Sequence, residues 1–264
     1  MTRKAIILSL SVLSLGASVL AATDIIPCAV GNRWQYDCYK TFVGKVVFQG
    51  RTMASMKDAS FGSSVYEVLS VDNKTAQPVY EYREHTKTAS STGGTDADDQ
   101  TDIKLVNDDS GLRILSTYRT GSTMDKPDKQ EYDPPLLYYV RNAAAGRQWT
   151  VGTVRDEDTA TPLSAKAVGR ETVTVPAGTF KDCLKVVYAS DSMSGTVEVW
   201  QKQFNITSGR SRAVYWVADG VGVVKELEIA TSTAETTGPD GKSPLIIDSA
   251  TCSVSELRPG YIVK

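Results

Sequence analysis

From residue 31 onward the chain is written in short runs that alternate apolar and polar side chains, cut by Gly, Asn, Asp and Pro, with almost nothing at helical period. Trp34, Tyr36 and Cys38, alternating with Gln35, Asp37 and Tyr39, form the first run. The pattern returns at 45–53, 65–72, 79–86, 102–106, 112–118 and 148–155, then at 165–175, 180–189, 196–204, 213–218, 223–229 and 246–253. Strands so closely spaced predict an antiparallel meander, because parallel neighbours would need crossover helices between them. The expected fold is all-β: a single strongly curved antiparallel sheet or half-barrel. Asn107-Asp108-Asp109-Ser110-Gly111 reads as a hairpin connection. Gly31-x-x-Trp34 recurs as Gly146-x-x-Trp149, each a glycine turn delivering a tryptophan into a strand.

The first 22 residues stand apart. Arg3 and Lys4 precede an apolar run from Ala5 to Leu20 and a small-residue exit at Ala21-Ala22, the build of a cleaved secretory signal and an expected N-terminal signal helix. Lipid attachment at Cys28 is rejected, since Ile25-Ile26-Pro27 are not the small residues such a site needs. No later stretch is apolar for about 18 residues, so no transmembrane segment is expected after cleavage. Residues 23–264 read as a single mainly-β domain in the periplasm or outside the cell. Within it, three polar stretches interrupt the rhythm: 88–101 as a mobile loop, 120–135 as an extended lid carrying Tyr132 and Pro134-Pro135, and 231–244 as a further loop.

Export bears on the cysteines. An even count in an oxidising compartment reads as disulfides, and Cys28, Cys38, Cys183 and Cys252 allow three connectivities. Pairing of Cys28 with Cys38 and of Cys183 with Cys252 is preferred; Cys28 with Cys252 is the rival that would tie the chain ends together. Metal is disfavoured, because no C-x-x-C occurs and His85 is the one histidine. With 29 Lys and Arg against 31 Asp and Glu, and no basic stripe, nucleic acid is not an expected partner. Nor is an enzyme: no G-x-S-x-G surrounds a serine, His85 sits in an alternating run, and Asp156-Glu157-Asp158 reads as a solvated cluster. Gly220-Val221-Gly222 lacks the lysine and following helix of a phosphate loop. No cofactor is expected.

The densest phrases are Val173-Thr174-Val175-Pro176-Ala177-Gly178-Thr179-Phe180 with Cys183 and Val186, and Trp216-Val217-Ala218-Asp219-Gly220-Val221-Gly222-Val223-Val224-Lys225. They resemble a class of bacterial exported proteins and lipoproteins. Pro134-Pro135 with Gly146-x-x-Trp149, and Gly31-x-x-Trp34-x-Tyr36, are similar to that class's middle and opening segments. Asp219 departs from the pattern, where proline is frequent, as do the extra cysteines. The resemblance implies a curved sheet akin to the lipoprotein-carrier and mycobacterial lipid-carrier folds, whose concave face holds an apolar ligand, and brings no catalytic residues. Trp34, Trp149, Trp200, Trp216 and Tyr138 are the candidate ligand-binding residues; packing in the core or at the rim is the competing reading of the tryptophans. Two functions stay open: a module binding a lipid or amphiphile, or a structural protein with a filled core that contacts another envelope protein through its edges or loops. A hydrolase is third.

Overall fold

The computed structural model describes residues 26–264 except 76, 92, 94, 95, 123, 125 and 157, so the signal reading of residues 1–22 lies outside it. Thirteen strands form one sheet: β1 (Arg33–Phe48), β2 (Arg51–Asp72), β3 (Val79–Ser90), β4 (Ala97–Asp108), β5 (Gly111–Gly121), β6 (Asp128–Val140), β7 (Gln148–Asp156), β8 (Thr159–Val175), β9 (Gly178–Ser190), β10 (Ser194–Val199), β11 (Lys202–Ala218), β12 (Gly222–Thr237) and β13 (Pro244–Leu257). The order across it is β10-β8-β9-β11-β12-β13-β1-β2-β3-β4-β5-β6, with β7 paired to β8. Every ladder is antiparallel, as the alternation predicts. No helix among the described residues is long and apolar enough to cross a membrane.

The sheet curls until its distant strands touch. Tyr188 of β9 donates a hydrogen bond to Tyr138 O of β6 at 2.8 Å, and Trp149 Nε1 of β7 donates to Leu137 O of β6 at 3.1 Å. The glycine turns work as the sequence indicates. Gly31 (φ +85°) and Gly146 (φ +88°) take the left-handed conformation that L side chains resist. Each delivers a buried tryptophan whose indole N–H is satisfied by a distant carbonyl, Val221 O at 2.7 Å for Trp34. The β4–β5 hairpin is the expected one, with Asp108 Oδ1 accepting from Ser110 N at 2.8 Å and Gly111 N at 3.2 Å.

The strands are longer than the apolar periodicity suggests. The run expected at 45–53 straddles the Gln49-Gly50 turn between β1 and β2, and β2 continues unbroken for 22 residues. The three stretches expected as loops are largely strand. β3 runs to Ser90 and β4 starts at Ala97; β5 and β6 leave only 122–127 between them; β12 and β13 leave only 238–243. Tyr132 and the double proline belong to β6 rather than to a lid. The reason is a polar lining: where the inward positions of a strand are Ser, Thr, Asp, Glu or Lys, the period of two survives but loses its hydrophobic contrast.

The disulfide expectation is corrected. All four cysteines are described, and each is a thiol. Cys38 faces inward opposite Ser255, whereas Cys252 is offset by an odd number of residues and faces outward beside Thr41. Cys183 on β9 is separated from β13 by β11 and β12, roughly 14 Å at about 4.8 Å per strand, twice what a disulfide spans. Cys28 lies before β1, beside Tyr82 and with Asn107 Nδ2 4.0 Å from its sulfur. Burial pushes the Cys38 thiol up to about 12, leaving almost no thiolate at neutral pH. Alkylation of the native protein at pH 8 is therefore expected to label Cys252 first and the other three only on unfolding, with no mass deficit in the non-reduced chain. Peptide mapping after alkylation checks both.

Candidate functional site

The inner face of the curled sheet carries two apolar clusters and, between them, a polar band. The larger cluster gathers Trp34, Tyr36, Tyr82, Ile103, Leu105, Ile114, Leu136, Tyr138, Trp149, Val186, Tyr188, Tyr215 and Val217, among others. Its centre is aromatic: Tyr138 stacks on Tyr188 at 5.0 Å, and Tyr215 meets Tyr188 edge-on at 5.1 Å. The smaller cluster, on β1, β10, β11, β12 and β13, holds Val46, Val199, Phe204, Ala234, Leu245 and Ile247.

The polar band follows from register. Neighbouring partners on the inner face run Tyr188–Ala213–Glu228–Ser253–Lys40–Ser60 from β9 through β11, β12, β13 and β1 to β2. The adjacent row runs Val186–Tyr215–Glu226–Ser255–Cys38–Gly62. Gly62 is required there, since a Cβ would lie 1.8 Å from Lys87 O. Glu84 of β3 adds another inward carboxylate, accepting from Tyr66 Oη and, at 3.1 Å each, from Ser64 and Thr86. Arg119 of β5 is held by Asp128 at 2.9 Å and by Asp156.

The chemistry of the band is set by its burial. Glu228 is 9% exposed, and desolvation pushes its carboxyl up to about 8, with Lys40 and Ser253 offsetting only part of that rise. Lys40 moves the other way: burial lowers its ammonium, against the attraction of Glu228, Asp99 and Asp58. Burial likewise raises Glu84 despite its three hydroxyl donors. Glu226 accepts from Tyr215 Oη at 2.8 Å. Glu228 Oε1 and Ser211 Oγ are buried without a hydrogen-bond partner, and each such atom carries a desolvation cost of about 1–3 kcal/mol. Among the described residues no group of three or more His, Cys, Asp or Glu is placed to hold a metal ion.

A family model described as a protein of unknown function, DUF3108, matches residues 69–237. The chain belongs to the DUF3108 family. The match ends with β12, so it includes Glu84, Tyr138, Ser211, Glu226 and Glu228, while Lys40 on β1 and Ser253 on β13 lie outside it. A search of the curated proteins finds no match to this DUF3108 chain. Among solved structures it is similar to a candidate lipoprotein from Parabacteroides distasonis ATCC 8503, with 14% identity over 91% of this chain and 99% of that one and a TM-score of 0.34. A second is the transport unit of the autotransporter AIDA-I from Escherichia coli, with 11% identity, 85% and 90% coverage and a TM-score of 0.19.

The DUF3108 chain does not gather the five aromatic residues singled out from sequence. Trp34, Trp149 and Tyr138 are buried in the larger cluster. Trp216 faces outward, its indole N–H on Glu171 at 2.5 Å and Lys185 Nζ 5.1 Å from its ring centre. Trp200 is 52% exposed at the β10–β11 turn. His85 also faces outward, paired with Asp98 at 2.6 Å. Sequence reasoning missed Glu226, Glu228 and Lys40, though one signal was present: the alternation of Glu226 and Glu228 with Leu227 and Ile229.

Proposed function

We propose that this DUF3108 chain is an exported, non-enzymatic module of the cell envelope that binds a small amphipathic molecule on the inner face of its curled sheet. The observation that carries the reading is the pair of buried, unpartnered polar atoms Glu228 Oε1 and Ser211 Oγ on an inner face flanked by two apolar clusters. Buried polar groups are ordinarily satisfied by protein or by ordered water, and the polar head of a bound molecule fills the same role. A partner with a polar head and an apolar body satisfies these atoms while keeping the apolar clusters dry. Export rests on the leader-like residues 1–22.

The aromatic packing of Tyr138, Tyr188 and Tyr215 supports a second reading, a structural envelope protein whose interior is filled by its own side chains. Native mass spectrometry of protein purified without detergent separates the two. The binding reading expects an adduct that leaves on denaturation, or capture from an added lipid panel. A bare chain that takes up nothing from the panel favours the structural reading.

A further inference from the structure

We infer that the inner polar band is a site for an organic cation, an amine head seated against Glu228 with its alkyl portion along the smaller apolar cluster. This deepens the binding reading above and rests on it. The sign of the head follows from the acidic groups present. Glu84, Glu226 and Glu228 face the interior, and Asp58 and Asp99 act on Lys40 from β2 and β4. Against these carboxylates stand Lys40 and Arg119, and Arg119 is already held by Asp128 and Asp156. An anionic head would enter an acid-rich surface, whereas an ammonium draws Glu228 into its ionised form, the carboxyl proton passing to solvent, and pairs with the carboxylate that results.

The position follows from what surrounds the unpartnered oxygen. The inward neighbours of Glu228 across the ladders are Ala213 and Ser253, and Ser211 and Ala230 occupy the next row toward the smaller cluster. All four are small, so the carboxyl is not crowded by the adjoining strands. Ser211 Oγ supplies a second acceptor on the same side. Beyond Ala230 the inner face of β12 continues through Ser232 to Ala234, which packs in the cluster with Val46, Phe204 and Ile247. An ammonium donates hydrogen bonds to both acceptors and an alkyl chain lies along that path. A metal ion is the poorer occupant, because its ligands must converge and among the described residues no group of three or more His, Cys, Asp or Glu does so.

The test is isothermal titration of the mature protein with decylamine, decanol and decanoate below their micelle concentrations. Decylamine is expected to bind at least about tenfold more tightly than decanol, the scale of one charge-assisted hydrogen bond, and decanoate more weakly still. Glu228→Gln, which keeps the shape of the side chain, removes the tenfold preference; Lys40→Met, which removes the internal competitor for Glu228, strengthens decylamine binding. Tyr39→Ser on the outer face serves as the control and leaves all three affinities unchanged. Equal binding of the three probes, unaffected by Glu228→Gln, overturns the cation site and leaves the amphiphile reading standing. Failure of every probe to bind overturns both.

Discussion

Replacing Glu228 by glutamine is expected to stabilise the protein at pH 8 and to leave its stability at pH 5 nearly unchanged. The carboxyl is held at about 8 in the fold against an ordinary value of 4.5, with burial the largest cause. Between those two pH values the native chain keeps a proton that the unfolded chain releases. Stability linked to this group is therefore full below about pH 4.5, falls as pH rises, and is lost above about pH 8. The groups facing it are Lys40 from β1 and Ser253 from β13, with Tyr215 and Tyr138 close enough to be raised by its charge. Lys40, lowered by burial, has the opposite slope, gaining stability with pH in the alkaline range below the ordinary lysine value. Glutamine cannot ionise, so the variant gains roughly 1–3 kcal/mol at pH 8, a discounted share of what the shift implies. Urea melts of both proteins from pH 5 to pH 8 measure it. A variant less stable than wild type at pH 8 would mean that Glu228 is charged there and firmly paired with Lys40.

Truncating Tyr188 is expected to have the largest effect on stability of any single change in the aromatic centre. Its ring is fully buried, stacked on Tyr138 and set edge-on to Tyr215, Tyr139 and Trp149, and its hydroxyl bonds Tyr138 O. Tyr188→Ala removes the contacts that hold β9 against β6, two strands far apart in the order of the sheet. The cost is expected at about 3–5 kcal/mol, the range for an aromatic truncated in a packed core. Tyr188→Phe keeps the ring and gives up one buried hydrogen bond, about 1 kcal/mol. Chemical denaturation separates the two contributions. A loss below about 1 kcal/mol for the alanine variant would show that the rim of the curled sheet, not its centre, holds β6 in place.

Much of the local structure was legible because it depends on neighbours in the chain. Val173–Val175, Pro176-Ala177 and Gly178 do form the β8–β9 turn, and Asp219-Gly220-Val221 turns β11 into β12. The polar stretches at 88–101, 120–135 and 231–244 were not legible as strands. Their inward positions include Thr88, Asp99, Asp128 and Ala234, which carry little or no hydrophobic signal although their ladders are complete. The candidate site was legible only in fragments. Lys40, Ser211 and Glu228 each read as an ordinary polar residue in a strand.

The sequence by itself determined that the chain is all-β and antiparallel, where several of its turns fall, and that Trp34 and Trp149 enter strands behind glycine turns, since backbone preference and side-chain alternation act over a few residues. Only the tertiary structure decided which faces turn inward, that the cysteines sit too far apart or on opposite faces to pair, and that Lys40, Glu228 and Tyr138 come together. Those outcomes depend on the register of strands distant in sequence and on the curl that brings β6 against β9, and a shift of one residue in any ladder would send the same side chains to the opposite face.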